Sequence, residues 1–390
     1  MRIAARLLGI SASPTMAVMQ EAQELRAQGI DIIDLGPGQP DFNTPELIRR
    51  AGIAAIEEGL TRYTPAAGTK VLRQAVAEKY NRDWGTRLDF SNVVITSGAK
   101  HAVYNVCMAV FQAGDEVLIP SPYWVTFPEV VKITRAVPVI VPTTHDESFI
   151  LSPGRVREML TEKSRGLIVN TPNNPTGAVL PREVVLELAE LGRKRDLFLL
   201  FDETYERFTY GGKRHVSLAE VVAKLDDAFA IVGSFSKTYA MTGWRVGYCV
   251  GPKSLMQKIT EFQSHETGNP CSISQHAALA ALEGGVESVE SMRREYEERR
   301  ECVLQGLETI PGYRCAKPDG AFYVFPEVLA SMQRMGISGS ADYARFLIQK
   351  ARVSTVPGSA FGLEGHIRLS YATSMKNIEE ALERIRTAVA

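Results

Sequence analysis

The sequence predicts an α/β fold: a large domain with a mostly parallel sheet flanked by helices, joined to a smaller α+β domain. Three observations lead there. Between about Asn92 and Gly251, short β-rich runs alternate with helical patterns, the signature of strand–helix–strand units. Several of those runs are continuously apolar rather than alternating, as in strands covered on both faces. After Gly285 the chain changes character, to one long charged helix followed by short mixed elements.

In chain order, strands are expected at Val93–Thr96, Glu116–Pro120, Val137–Val141, Gly166–Asn170, Leu197–Asp202, Ala228–Gly233 and Val246–Val250. Amphipathic helices fit between them, such as Ala99–Gln112 and Pro181–Arg195, where Pro181 suits a first turn and Gly192 is a weak point. Beyond Gly285, Val289, Met292, Tyr296, Val303 and Leu307 mark the apolar stripe of the long helix. A strand-like run at Ala321–Phe325, a helix near Ala341–Ala351, an apolar run at Val353–Val356 and a last helix from about Asn377 follow. The N-terminal segment holds no complete unit of its own. The large domain is therefore drawn as 45–285, and the small one as 1–44 with 286–390.

Composition bounds the function. The 390 residues are 45% hydrophobic and 23% charged, an ordinary globular balance with length for two domains. A formal net charge of −1 argues for neither nucleic acid nor membrane as a partner. The run Leu7–Ile10 is too short for a signal peptide, and no apolar stretch reaches transmembrane length. Five cysteines without CxxC spacing and scattered histidines suggest buried free thiols, no metal site and a cytoplasmic location.

Polar residues close several apolar runs: Ser97, Asn170, Asp202 and Ser234. In open α/β sheets ligands collect at such carboxyl ends. The stretch SFSKTYAMTGWRVG, Ser234–Gly247, sets Lys237 among small and hydroxyl residues. A lysine kept neutral by burial is a nucleophile towards an aldehyde, including that of pyridoxal phosphate. Arg245 suits the phosphate of the same cofactor, through a planar and permanently charged fork. A solvated loop lysine is the bland alternative, and it leaves Ser236, Thr238, Thr242 and Gly243 unexplained.

Asp202, after LFLLF, could keep a pyridine nitrogen protonated and so make the ring an electron sink. Taken alone, a helix cap is its commoner role. Ser97-Gly98-Ala99-Lys100 joins a strand to a helix, where small residues let amides approach a phosphate. Trp124 in a loop is more often core, and the string NNPTG, which holds Asn174, is by itself an ordinary turn. Arg368 lies in HIRLSYA, an alternating pattern. Its fork suits a carboxylate, and its bland reading is a surface ion pair. Gly36-Pro37-Gly38 lacks the third glycine of a dinucleotide loop.

Together the Lys237 stretch, NNPTG, the Asp202–Tyr205 pair and Arg368 resemble the class I/II aminotransferases, which are fold-type I pyridoxal phosphate enzymes. The resemblance runs from about Ser11 to the C-terminus and is closest to the bacterial and plant aspartate/prephenate branch. It implies pyridoxal 5′-phosphate as cofactor, with Lys237, Asp202 and Tyr205 as catalytic residues. Lys237 would hold the cofactor and then move a proton between the substrate Cα and C4′. Gly98, Ala99, Lys100, Ser234 and Arg245 would surround the phosphate, Asn174 and Tyr205 would reach the 3′-oxygen, and Trp124 would stack on the ring. Gly38, Trp124, Asn174, Arg368, Thr15 and Lys100 would bind substrate, the last two matching residues associated with dicarboxylates and prephenate. Tyr63, in TRYTPAAG, would reach the phosphate of a neighbouring subunit, with Asn269 at the same edge. That implies a homodimer with shared active sites.

The implied reaction is ping-pong transfer from an L-amino acid, aspartate or glutamate first, to a 2-oxo acid: 2-oxoglutarate, oxaloacetate or prephenate. Departures from the branch leave the amino-acid preference open. They are GPGQPDF for AGEPDF, Thr204 for isoleucine, and Glu266-Thr267-Gly268. The alternatives are a pyridoxal phosphate lyase, an aminotransferase for aromatic or neutral amino acids, and a ligand-sensing regulator on the same fold.

Overall fold

A computed structural model describes residues 3–10, 14–222, 225 and 227–390. Its strands are β1 (Ile33–Asp34), β2 (Val93–Thr96), β3 (Glu116–Ser121), β4 (Val137–Pro142), β5 (Ser164–Asn170), β6 (Phe198–Asp202), β7 (Phe229–Ser234), β8 (Gly247–Val250), β9 (Tyr323–Val324), β10 (Val353–Ser354), β11 (Val356–Pro357) and β12 (Ile367–Ser370). The strands expected between Val93 and Val250 form one sheet in the order β2-β8-β7-β6-β5-β3-β4. The pairs from β7 across to β4 are parallel, while β8 runs antiparallel to both its neighbours.

The reversal at β8 has a local cause. Between β7 and β8 there is one short helical turn, Phe235–Thr238, and a 3-10 turn, Thr242–Trp244. A parallel return needs a crossover of a dozen or more residues that carries the chain back along the sheet, and no such helix stands here. The amino end of β8 therefore meets the carboxyl ends of the strands around it.

Both faces of the sheet are buried, which accounts for the continuous apolar runs. Ile95, Leu167, Val169, Leu199, Phe201 and Ile231 point into one core, and Val94, Ile168, Leu200, Ala230 and Val232 into the other. The helix Ala99–Val110 stops short of the expected Gln112. There the Gln112 amide is taken by Asp115 at 2.9 Å, and Gly114 turns the chain with φ +94°. Helix Arg182–Arg195 continues through Gly192 and ends three residues on. A Cβ at Gly192 would meet the Leu199 side chain at 3.1 Å, so the glycine also lets the helix pack closely on β6.

Past helix Val286–Glu308, the expected strand Ala321–Phe325 shrinks to β9, and the run Val353–Val356 splits into β10 and β11. Strands β11, β12 and β9 form an antiparallel sheet, and β10 pairs in parallel with β1 near the N-terminus. The expected 341–351 helix is α-helical over Ser340–Phe346 and π-helical over Leu347–Ala351. Of the cysteines, Cys107 and Cys249 are buried, Cys302 and Cys315 are intermediate and Cys271 is exposed, so burial is less general than the local patterns suggested. Among the described residues no helix is long and apolar enough to cross a membrane.

Candidate active site

Strand register brings the polar strand ends together. Asn170 is level with Asp202, and Ser234 and Thr96 both face Gly247. Because β8 is reversed, Arg245, just ahead of it, reaches the same edge. A cavity of about 380 Å³ opens there between the large sheet, the loop 36–38 and β12.

The floor of the cavity is enclosed. Asp202 ends β6 and is 4% exposed. Burial lifts its pKa to about 6, against the opposing pull of Thr204, whose amide donates to Oδ1 at 3.0 Å, and of the Lys237 cation. Asn170 pins the next loop. Its Oδ1 accepts from the Asn174 amide at 2.8 Å and its Nδ2 donates to the Asp202 carbonyl at 3.0 Å. Asn173 then closes the turn by accepting from the Thr176 amide and hydroxyl. Asn174 Oδ1 in turn accepts from Arg368 Nη1 at 2.9 Å. Arg368 is buried on β12, donates its other terminal nitrogen to the Gly36 carbonyl and leaves Nε without a partner.

Lys237 Nζ donates to the Gly38 carbonyl. Burial, then the charges of Arg368 and Arg245, lower its pKa to about 7, with Asp202 pulling the other way. About half of such lysines are neutral at neutral pH, which makes the amine a usable nucleophile and base.

The rim is more open. Gly98 caps the helix Ala99–Val110 with φ +88°, and a Cβ there would come within 2.5 Å of Arg245 Nη2. A Cβ on Gly247 would lie 2.6 Å from the Ala99 nitrogen. Two glycines thus let two chain segments, 97–99 and 245–247, close on one point. The first amides of that helix have no partner within it and form the positive end of its dipole. Arg245 donates to the Thr242 carbonyl at 2.8 Å and to the Ser97 carbonyl at 3.3 Å, and Ser234 Oγ accepts from the Ser236 amide at 3.0 Å. Lys100 Nζ lies 5.3 Å from the centre of the Trp124 ring, and partial desolvation of this otherwise exposed side chain, followed by the Arg245 charge, lowers its pKa.

Lys237, Arg245, Arg368 and Lys100 thus share a cavity in which, among the described residues, Asp202 is the one lining carboxylate. A nucleophilic amine, an anion cradle too tight for side chains and an unpaired guanidinium Nε fit a phosphorylated aldehyde and a carboxylate substrate. The family profile of aminotransferase class I and II matches residues 30–385. The chain belongs to that family. It is a pyridoxal phosphate-dependent aminotransferase of the fold-type I architecture.

The aminotransferase is 40% identical to the aspartate aminotransferase of Bacillus subtilis over 100% of this chain and 99% of that protein. It is 41% identical to a probable aspartate/prephenate aminotransferase of Aquifex aeolicus, over 99% and 98% of the two chains. The solved aspartate aminotransferase of Thermus thermophilus with maleate superposes with a TM-score of 0.94, at 40% identity and full coverage of both chains.

Of the residues singled out in this aminotransferase's sequence, Gly38, Ala99, Lys100, Trp124, Asn174, Asp202, Tyr205, Ser234, Lys237, Arg245 and Arg368 line the cavity. Gly98 stands at its rim behind Arg245. Tyr63 does not line it and is 98% exposed. Asn269 donates to the Pro270 carbonyl at 2.8 Å. The side chain of Thr15, on helix Pro14–Ala27, lies outside the described residues. The cavity also takes in Gly36, Thr204, Ser236, Thr242 and Tyr323, which sequence reasoning did not assign. Tyr323 sits in a run, AFYVF, whose pattern reads as core, and only its tertiary contacts distinguish it.

Proposed function

We propose that this aminotransferase takes aspartate or glutamate as amino donor and 2-oxoglutarate or oxaloacetate as acceptor, with prephenate as a further acceptor. One observation carries the reading. Apart from Arg245 and Lys237, the cavity has two cations on different segments, Arg368 beside Asn174 and Lys100 beside Trp124. Two cations suit the two carboxylates of a dicarboxylate substrate. Close similarity to aspartate and aspartate/prephenate aminotransferases supports it.

The Ser234 hydroxyl, the amides following Gly98 and the Arg245 fork would hold the cofactor's phosphate. Asp202 would take the ring nitrogen, Tyr205 and Asn174 the 3′-oxygen, and Trp124 the ring face. Bound there, pyridoxal phosphate supplies an aldehyde for the amine and an electron sink for charge at Cα. Arg368 orients the α-carboxylate, and Lys237, once free, takes the proton from Cα and returns it on the other side of the exchange.

In the same reading, Tyr63 of the partner subunit completes the phosphate site of a cytoplasmic homodimer. Support comes from Tyr63 itself and from helix Glu46–Glu57, where Leu47, Ile53 and Ile56 are 50–56% exposed. The cofactor domain spans 45–285, and both termini form the small domain that carries Arg368.

Half-reactions with aspartate, glutamate, alanine, aromatic amino acids and arogenate test the donor, read from the cofactor's absorbance. Aspartate or glutamate should give the highest kcat/KM. A poor response to both would overturn the substrate assignment.

A further inference from the structure

We propose that Tyr323 is a positioning residue: it sets the donor strength of the Tyr205 hydroxyl while its ring supports the Arg368 guanidinium. One side chain thereby joins the carboxylate end of the cavity to the ring end. The inference rests on the reading that Tyr205 meets the cofactor's 3′-oxygen.

Register explains the placement. Tyr323 on β9 pairs with Ser370 on β12, and alternate residues of a strand share a face. Arg368 and Ser370 therefore point the same way, and Tyr323 is a diagonal neighbour of Arg368. The guanidinium carbon sits 4.5 Å from the centre of the Tyr323 ring. At its other end, the fully buried Tyr323 hydroxyl lies 2.7 Å from the Tyr205 hydroxyl. A Cβ on residue 38 would come within 2.6 Å of the same Tyr323 oxygen, so the loop whose carbonyl holds Lys237 passes directly over it.

Of two hydroxyls sharing one hydrogen bond, only one donates into it, and the other keeps its proton for a further acceptor. An ionised oxygen is a better acceptor than a neutral hydroxyl. With an anionic oxygen beside it, Tyr205 donates to that oxygen and accepts from Tyr323, and each bond polarises the next. The charges facing the pair are Arg368, Asp202 and Lys237, with Tyr296 and Tyr371 as the neighbouring hydroxyls.

Tyr323→Phe keeps the ring beneath Arg368 and removes the donor. The test is the pH midpoint of the visible absorbance of the cofactor-loaded protein, with the affinity for succinate measured in parallel by calorimetry. A hydrogen-bond donor favours the deprotonated form, so its loss should raise the midpoint by roughly 0.5 pH unit. Succinate affinity, measured below both midpoints, should stay within about twofold because the ring–guanidinium contact remains. In a Tyr205→Phe background, the second substitution should shift nothing further.

Equal midpoints for wild type and Tyr323→Phe, or the same shift in both backgrounds, would overturn the proposal. If Tyr323→Phe does not fold, 3-fluorotyrosine at position 323, a stronger donor of nearly the same shape, should lower the midpoint, and no shift overturns the proposal equally. A wild-type protein that takes up no cofactor would overturn the underlying reading as well, and it is recognised by the missing absorbance band.

Discussion

Asp202 and Arg368 are 4% and 2% exposed and each is tied to a neighbouring segment, whereas Arg245 and Lys100, which line the same cavity, are exposed. The floor is organised within one chain, with Asn170 holding the Asn174 loop and Asn174 holding Arg368. At the rim, two glycines and a helix end bring backbone and cations to a point, but the cations lean on backbone carbonyls and an aromatic face. The floor fixes geometry, and the rim supplies charge for an anion to organise.

That contrast ranks the expected effects. Lys237→Ala should lower transamination with aspartate by about 10⁴-fold, the upper range for a positioned acid–base group. Turnover within tenfold of wild type would remove Lys237 from the chemistry. Arg368→Lys keeps the charge but loses the fork. Two charge-assisted bonds at about 1.5 kcal/mol each imply a rise of about 100-fold in KM for aspartate. An unchanged KM would mean that the floor does not read the α-carboxylate.

The pH dependence separates burial from exposure. The Lys237 pKa lies near 7, below the 10.5 of an ordinary lysine, so the amine is mostly charged at pH 6 and mostly neutral at pH 8. The rate of pyridoxal phosphate uptake by the cofactor-free protein should rise about tenfold over that range. A flat profile would place the titration elsewhere. The smallest effect belongs to the contact proposed from the partner subunit: Tyr63→Phe should weaken cofactor binding about fivefold, the loss of one hydrogen bond, without moving the melting temperature of the cofactor-free protein. A drop in melting temperature would instead make Tyr63 a structural residue.

Much of the floor was legible in the sequence, because its residues end apolar runs and strand ends are local features. Asp202 and Asn170 close β6 and β5 as expected. Other readings stopped short where a local pattern met a tertiary contact. Gly192 carries a packing contact with Leu199 that no local pattern announces, and most of the cysteines read as buried where two are, Cys107 and Cys249. Tyr323 was invisible because an aromatic in a short apolar run is the usual sign of core.

Strand ends, the lysine stretch and the family resemblance were determined by the sequence alone, because each depends on residues close together in the chain. The reversal of β8, which carries Arg245 to the carboxyl edge, and the register of β9 on β12, which sets Tyr323 beneath Arg368, were decided by the tertiary structure. The short connection ahead of β8 rules out a parallel return, but which strands β8 and β9 pair with depends on distant segments, and no local pattern encodes that.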